Sequence, residues 1–216
     1  MGYTSKSIDS QAISRVNPIS GVTYIKAIQR KLKIFVNSLQ SYSSSNSIHN
    51  AYLDDDCRVN LLRYLSLIHD NFSGNLLVGE APGYKGCALT GIPFTSEDSI
   101  SNKMHNIFSQ GFLLKGTQSE PTSTIIWNFF KGHKKLPIFW NAFPFHPYGK
   151  SVKSNRCPAN DEVKYGFDKT AAVAIHLGNL PVINILNQLT CLYTIDDRFL
   201  LGYRGECGIK HRQLRS

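Results

Sequence analysis

A carboxylate and an aromatic ring lie on one glycine-rich loop of this chain. Residues 76–97 read LLVGEAPGYKGCALTGIPFTSE, so Glu80 opens the loop and Phe94 follows a proline near its end. The loop comes directly after an apolar run that is typical of a buried strand. Open α/β sheets bind ligands at the carboxyl ends of such strands. A carboxylate and a flat stacking surface together suit chemistry on a flat, polar substrate such as a nucleobase.

A second apolar segment is interrupted by a polar amide. Residues 136–143 read LPIFWNAF, which predicts a buried strand that ends in Asn141. Because a buried amide needs hydrogen-bond partners, Asn141 either ties a loop together or contacts a ligand. If the two strands are parallel and adjacent, their loops open on the same edge of the sheet. Glu80, Phe94 and Asn141 then share one cleft.

His146 stands in a His-Pro pair shortly after the second strand. Its ring either orients a ligand or binds a backbone carbonyl group. Basic side chains also fall on loops near the predicted cleft, where they either contact phosphates or are simply solvated. They are Lys85, Lys150, Lys153 and Arg156.

The spacing of apolar residues predicts the elements that must hold these side chains. Helices are predicted over residues 24–39, 58–70, 95–111 and 121–131, and from residue 158 onward. Strands are predicted at residues 76–78 and 136–143, with residues 171–175 as the remnant of a late strand. Strands that alternate with helices predict an α/β fold, in the form of a three-layer α/β/α sandwich with a mostly parallel central sheet.

The length of 216 residues fits one domain of ordinary size. We expect a single domain over residues 1–216, with an N-terminal helix and connector in residues 1–50 and a divergent C-terminal part in residues 171–216. The chain has 24 basic and 15 acidic residues and a net charge of +9. This balance favours an anionic partner, and nucleic acid is the first candidate.

Several features of the sequence argue against other classes of protein. No apolar run reaches the roughly 18–20 residues that span a bilayer, and the N-terminus lacks the apolar core of a signal peptide. The five cysteines are odd in number and form no C-x-x-C pair, so neither a zinc nor an iron–sulfur site is indicated. We expect a monomer in a reducing cytoplasm, with no metal, cofactor or membrane partner.

Several motifs, taken in order, resemble those of the uracil-DNA glycosylase superfamily. The match is closest to the bacterial members whose first motif has the form GEAPG, and it covers roughly residues 74–167. The matching segments are GEAPG at 79–83, GIPF at 91–94, NAFPFHP at 141–147 and NRCP at 155–158.

The resemblance implies a role for each matched residue. Phe94 would stack on a base flipped out of DNA, and Asn141 would read the edge of that base. Glu80 would position or activate the attacking water. The remaining contacts to the substrate would come from Gly79, Ala81, Pro82, Gly83 and His146.

The chain also departs from other branches of that superfamily. Ala81 stands where those branches carry a catalytic aspartate, so Glu80 would have to do that work. Gly83 stands where they carry a bulky tyrosine over the C5 edge of uracil, so exclusion of thymine is either looser or rests on another group. The His-Pro-Ser loop that donates to the base oxygen O2 is missing, and His211 is the best-placed histidine to act as a catalytic residue in its stead.

We therefore expect a DNA glycosylase that flips uracil from DNA and hydrolyses its N-glycosidic bond in base excision repair. The missing third motif leaves open a weakened or inactive relative that binds DNA through the same cleft. A third interpretation is a nucleotide- or phosphate-binding enzyme that uses GEAPG as an anion loop, although this segment lacks the lysine and hydroxyl of a P-loop.

Overall fold

The computed structural model describes residues 18–109 and 111–178, with side chains described over residues 26–109 and 111–173. In chain order, the elements are α1 (Pro18–Ser38), β1 (Ile48–His49), α2 (Asp55–Asp70), β2 (Phe72–Gly79), α3 (Cys87–Thr90), α4 (Glu97–Ser101), α5 (Pro121–Phe130), β3 (Leu136–Asn141), β4 (His146–Pro147) and α6 (Asn160–Gly178). Short 3₁₀ turns cover Leu39–Ser41, Ala51–Leu53 and Asn106–Phe108. Among the described residues, none of the helices combines the length and the apolar character needed to cross a bilayer.

Strands β2 and β3 pair in parallel. Val78 lies opposite Trp140 and Gly79 lies opposite Asn141, so the two strands end at the same level. All six residues of β3 are buried, which is typical of a parallel strand covered on both faces. The described part of the chain is therefore a mixed α/β fold with a small parallel sheet, as the sequence predicts.

A second, antiparallel pair joins the N-terminal connector to the segment after β3. Ile48 of β1 pairs with Pro147 of β4, and His49 pairs with His146. The buried Asn50 side chain fixes the chain just beyond β1, since its amide donates hydrogen bonds of 2.8 and 2.7 Å to two backbone carbonyl oxygens. The sequence predicted only a connector here, because a two-residue strand is too short to show a periodic pattern.

Helix α2 starts at a side-chain cap and packs against β3. The Asp54 carboxylate accepts a hydrogen bond of 2.8 Å from the N–H of Asp56, which satisfies one of the unpaired donors at the helix start. On the buried face of α2, the Tyr64 hydroxyl accepts a hydrogen bond of 3.1 Å from the N–H of Phe139. The helix thereby satisfies a main-chain donor of β3 that would otherwise need a strand partner.

An aromatic cluster connects α5, β3 and the loop after α3. The fully buried ring of Trp127 packs edge-on against Phe139 and Phe108, with ring centroids 5.4 and 4.6 Å apart. The ring of Phe94 lies 5.7 Å from that of Phe139. Because edge-to-face contacts of buried rings have a defined geometry, this cluster sets where Phe94 lies.

The predicted helix over residues 95–111 is wrong in its extent. Only α4 and the 3₁₀ turn at Asn106–Phe108 are helical there. Lys103 takes a left-handed conformation with φ 48°, which an α-helix cannot contain, and the His105 ring then caps the turn by accepting from the N–H of Ile107 at 3.2 Å. Ile100 and Ile107 are buried as the apolar spacing indicates, but they lie on a short helix and a separate 3₁₀ turn rather than on one continuous helix.

The predicted strand remnant at residues 171–175 is also wrong, because these residues belong to α6. An alanine-rich run has a high helix propensity, and the helix that begins at Asn160 continues through it. The other elements follow the sequence prediction closely. The helix predicted over residues 121–131 is α5, and those predicted over 58–70 and 24–39 lie almost entirely within α2 and α1.

Helix α6 passes very close to the chain that follows β3. A methyl group on Gly166 would collide with the carbonyl oxygen of Ala142. Alanine normally stabilises a helix relative to glycine by about 1 kcal/mol, but overpacking against backbone costs about 1–3 kcal/mol. We therefore predict that Gly166→Ala lowers the free energy of unfolding, measured in urea.

Gly149→Ala is the matched control, because the nearest atom to a methyl group there is 3.6 Å away. We expect this control to leave the unfolding midpoint nearly unchanged. A Gly166→Ala variant as stable as the wild type would contradict the close approach of α6.

Candidate active site

Phe94 and Asn141 meet at Gly79, where β2 and β3 end. A methyl group on Gly79 would lie 2.5 Å from Phe94 Cζ and 2.9 Å from Asn141 Oδ1. Only glycine lets both side chains approach the backbone this closely. The structure therefore brings together two of the residues that the sequence singled out, and it explains why the loop starts with a glycine.

The backbone ladder between the strands continues beyond their ends. The N–H of Ala142 donates to the Gly79 carbonyl oxygen at 2.7 Å, and the N–H of Phe143 donates to the Glu80 carbonyl oxygen at 3.0 Å. Because these bonds hold the first residues of both loops together, Glu80 stays at the same edge of the sheet as Asn141.

Phe94 has an uncommon backbone conformation. Its φ of 55° lies in the left-handed region, which a bulky residue rarely adopts. The indole N–H of Trp127 holds it there, at 3.1 Å from the Phe94 carbonyl oxygen and 3.1 Å from Thr95 Oγ1. Backbone strain of this kind concentrates at functional sites, where the surrounding structure enforces it.

The Asn141 amide has unused hydrogen-bonding capacity. The residue is 4% exposed, and within the described part of the chain its Nδ2 has only a weak acceptor, the Cys87 sulfur at 3.8 Å. No described residue donates a hydrogen bond to Oδ1. Because a buried amide normally has its donors and acceptors paired, this arrangement suits a ligand that supplies the missing partners.

Glu80 directly follows β2 at the same edge of the sheet as Asn141 and is an exposed residue. No hydrogen bond from a described residue reaches its carboxylate, and partial burial raises its pKa from the ordinary value of 4.5. A carboxylate without protein partners is free to accept a proton or to bind a water. Glu80 thus lies where the sequence predicts an acid–base group.

The rest of the loop is fixed from several sides. The carbonyl oxygen of Gly83 accepts from the N–H groups of Gly86 and Ala88, both at 3.2 Å, and this turn leads into α3. The N–H of Tyr84 donates to Asn155 Oδ1 at 3.2 Å. Ala81 is half-buried and Pro82 is buried, so the segment that the sequence assigns to substrate binding is held rigidly.

His146 is one of the residues that fix this loop. It is 1% exposed, and its two ring nitrogens lie 2.8 Å from the Pro82 carbonyl oxygen and 3.0 Å from that of Val152. Burial lowers the pKa of the ring. Since both nitrogens face backbone carbonyls, this geometry favours the structural alternative over direct contact with a ligand.

Sequence patterns did not point to Glu120, which precedes α5. Its carboxylate lies against the loop, because a methyl group on Gly83 or Gly86 would collide with its oxygens. No described residue makes a hydrogen bond to this carboxylate, and burial raises its pKa to about 7. A glutamate before a proline indicates only a helix start, so no local signal could have placed it in the site.

Glu97 holds the segment of chain that leads to Glu120. Its buried carboxylate accepts hydrogen bonds from the N–H groups of Lys115, Gly116 and Gln118 at 2.9, 2.7 and 3.1 Å. These bonds fix the segment immediately before Glu120. The buried carboxylate of Glu97 therefore helps to position Glu120.

No family model and no curated protein matches this sequence. Function must therefore be inferred from the chemistry of the site. Among the described residues, no group of three or more histidine, cysteine, aspartate and glutamate side chains is arranged to hold a metal ion.

The four basic residues near the cleft differ in their surroundings. Arg156 makes a bidentate pair with Glu162 at 2.6 and 2.7 Å and also donates to the Tyr148 carbonyl oxygen, so it acts within the protein. The other three, Lys85, Lys150 and Lys153, are exposed. The predicted catalytic residue His211 lies outside the described residues, as does most of the predicted C-terminal part.

Glu120 should make the stability of the protein depend on pH. Its pKa of about 7 in the folded protein exceeds the ordinary value of 4.5, so between these values the folded state holds a proton that the unfolded chain has lost. The free energy of unfolding should therefore fall as the pH rises through this range and then level off. Each pKa unit corresponds to about 1.4 kcal/mol, so Glu120→Gln should stabilise the protein by up to about 3 kcal/mol above neutral pH.

Urea unfolding between acid and mildly alkaline pH measures this effect. Glu162→Gln is the matched control, because the hydrogen bonds from Arg156 lower the pKa of Glu162, and removing that carboxylate should destabilise the protein at neutral pH. If Glu120→Gln kept the pH dependence of the wild type, Glu120 would not be an unpaired carboxylate with a raised pKa.

Proposed function

We propose that the protein is a DNA glycosylase that flips uracil out of DNA and hydrolyses its N-glycosidic bond, the first step of base excision repair. One observation carries the proposal. At the ends of two parallel strands, a ring held in strained backbone and an amide with unused hydrogen-bonding capacity meet at Gly79, beside the unpaired carboxylate of Glu80. These residue types and their arrangement agree with what the motif resemblance implies.

The ring of Phe94 supports the binding of an extruded base. Taking a base out of the stack costs roughly a few kcal/mol. Stacking on an aromatic side chain returns about 1–3 kcal/mol per base. Because Trp127 already holds Phe94 in place, little conformational entropy is lost when the base binds.

Asn141 supports selection of a base with a carbonyl group next to a ring N–H. Its Nδ2 would donate to the carbonyl oxygen, and its Oδ1 would accept from the ring N–H. Uracil offers this pair, whereas cytosine carries an amino group and no ring N–H at the same edge. A mismatched base would leave the buried amide unpaired, which is costly.

Glu80 supports the hydrolysis itself. The bond between C1′ of the sugar and N1 of uracil breaks, and its electron pair leaves with the base. Water adds its oxygen to C1′, and the ionised Glu80 orients this water and takes its proton. The anionic base is protonated in turn, so the products are free uracil and an abasic site.

The remaining features are part of the same proposal. The pair β2–β3 would form the middle of a three-layer α/β/α sandwich with a mostly parallel sheet, and the protein would act as a monomer in the bacterial cytoplasm. The net charge of +9 favours DNA as the partner. Exposed Lys85, Lys150 and Lys153 lie on the loop tip and on the segment bonded to it, where they would contact phosphates.

The proposal predicts release of uracil from a fluorescent oligonucleotide with one uracil, single- or double-stranded, detected by alkaline cleavage of abasic sites. Asn141→Ala should lower the single-turnover rate by about 10²–10³-fold, because it removes a preorganised donor. Phe94→Ala should lower it by about 5- to 150-fold, which corresponds to the stacking energy of one base.

Asn75→Ala and Phe129→Ala are matched controls, since both side chains are exposed and lie outside the cleft. They should keep the wild-type rate. DNA binding that weakens with salt but releases no base would instead indicate a non-catalytic relative. Thermal stabilisation by free nucleotides, and none by uracil or DNA, would indicate a nucleotide-binding enzyme.

The raised pKa of Glu80 predicts how the single-turnover rate depends on pH in the acid range. Because its pKa is raised above 4.5 and the ionised form is the active one, the single-turnover rate should rise with pH and reach half its maximum above pH 4.5. Glu80→Gln should lower the plateau by about 10²–10⁴-fold. Asp70→Asn, at an exposed carboxylate on α2, is the control and should keep both the plateau and the acid limb.

A further inference from the structure

The Glu120 carboxylate lies against the loop after β2 and would form one wall of the proposed base site. Its oxygens lie so close to Gly83 and Gly86 that a larger side chain at either position would have to displace the carboxylate. The two glycines belong to the loop that starts at Gly79, where Phe94 and Asn141 meet. Glu120 therefore occupies the space above Gly83 that a side chain at that position would otherwise fill.

Cys87 lies between the Glu120 carboxylate and the Asn141 amide along the loop. Its sulfur lies 3.8 Å from Asn141 Nδ2, and it directly follows Gly86, which the Glu120 carboxylate contacts. The charge of Glu120 is near enough to contribute to the raised pKa of the Cys87 thiol. A base bonded to Asn141 would lie beside Cys87, which directly follows a glycine that the Glu120 carboxylate contacts.

We propose that Glu120 is a specificity-determining residue of the base site, whose protonated carboxyl group donates a hydrogen bond to a carbonyl oxygen of the bound base. This inference rests on the proposed function. A protonated carboxyl group offers a donor where an ionised one offers only acceptors. An ionised Glu120 would repel both the carbonyl oxygen and the anionic base that leaves.

The surroundings of Glu120 favour the protonated form near neutral pH. Burial is the cause of its raised pKa, and no described side chain forms an ion pair with it. On the facing loop, the titratable groups are Glu80 at the start, Tyr84 and Lys85 at the tip, and the buried Cys87 thiol, which a raised pKa keeps neutral. The site thus combines one carboxyl group that works ionised with another that works protonated, and such pairs divide acid and base roles.

The test compares pH profiles of uracil release from the same oligonucleotide. In the wild type, the single-turnover rate should fall above about pH 7, by about tenfold per pH unit, as Glu120 loses its proton. Glu120→Gln should remove this alkaline limb, because an amide donates at every pH. Glu120→Ala should be slow at every pH and also lack the limb.

Base selection provides a second readout. Glutamine has nearly the size of glutamate, so Glu120→Gln should still reject thymine in a T·G mismatch, whereas Glu120→Ala should release thymine measurably. Gly83→Ala should displace the carboxyl group and lower the rate of uracil release near neutral pH, whereas Gly149→Ala should have no effect. A purely structural role for Glu120 would change neither the alkaline limb nor the discrimination between bases.

The outcomes separate this inference from the proposed function. If the wild type releases uracil and Glu120→Gln keeps the wild-type alkaline limb, the inference about Glu120 is overturned and the proposed function stands. If neither the wild type nor any variant releases uracil, both are overturned. Loss of the limb together with thymine release by Glu120→Ala would support both.

Discussion

The parallel hydrogen-bond ladder between β2 and β3 fixes Gly79, Glu80 and Asn141 at one edge of the sheet, and Phe94 packs against Gly79 there. It pairs Gly79 with Asn141 and extends past the strands to the N–H groups of Ala142 and Phe143. Each such bond stabilises the fold by only about 1 kcal/mol net, but the register that they set together is strict. A shift of one residue would turn Asn141 to the opposite face of the sheet and bring Trp140 or Ala142 to the position of its amide. The site therefore depends on backbone pairing before it depends on any side chain.

Several polar groups of the site are partly or fully buried, and hydrogen bonds within the protein satisfy only some of them. The indole N–H of Trp127 and the carboxylate of Glu97 bind main-chain groups of the loops, so those loops keep their shape. The amide of Asn141 and the carboxylates of Glu80 and Glu120 keep capacity that no described residue fills. Three groups with unused hydrogen-bonding capacity thus lie near one loop, with Glu80 exposed, Glu120 half-buried and Asn141 buried. A ligand that pairs with them is the simplest physical reason for their placement.

Sequence patterns predicted the parts of this arrangement that depend on local chemistry. The apolar runs before Gly79 and Asn141 indicated strands, and Pro121 marked the start of α5. The prediction that both strands are buried is confirmed for β3 and wrong for β2, where Leu76 is the one buried residue. The helix predicted over residues 95–111 failed because the left-handed Lys103 interrupts an otherwise helical spacing. The strand predicted at residues 171–175 failed because a short apolar run fits a strand and a helix equally well. Glu120 was missed because its contacts with Gly83 and Gly86 cross more than thirty residues of chain, and no periodicity encodes such a contact.

Helix α5 links two parts of the candidate site. Glu120 immediately precedes it and contacts the loop near Gly83, and Trp127, two turns later, holds the backbone of Phe94. An α-helix rises about 1.5 Å per residue, so this stiff element separates the two residues by about 10 Å along its axis. The helix therefore sets the distance between Trp127, which holds Phe94, and Glu120, which contacts the loop. An inserted or deleted residue in α5 would change the spacing of Glu120 and Trp127 and the register of both ends at once. In the proposed base site, variation in the size of the accepted base should therefore arise through side chains rather than through the length of this helix.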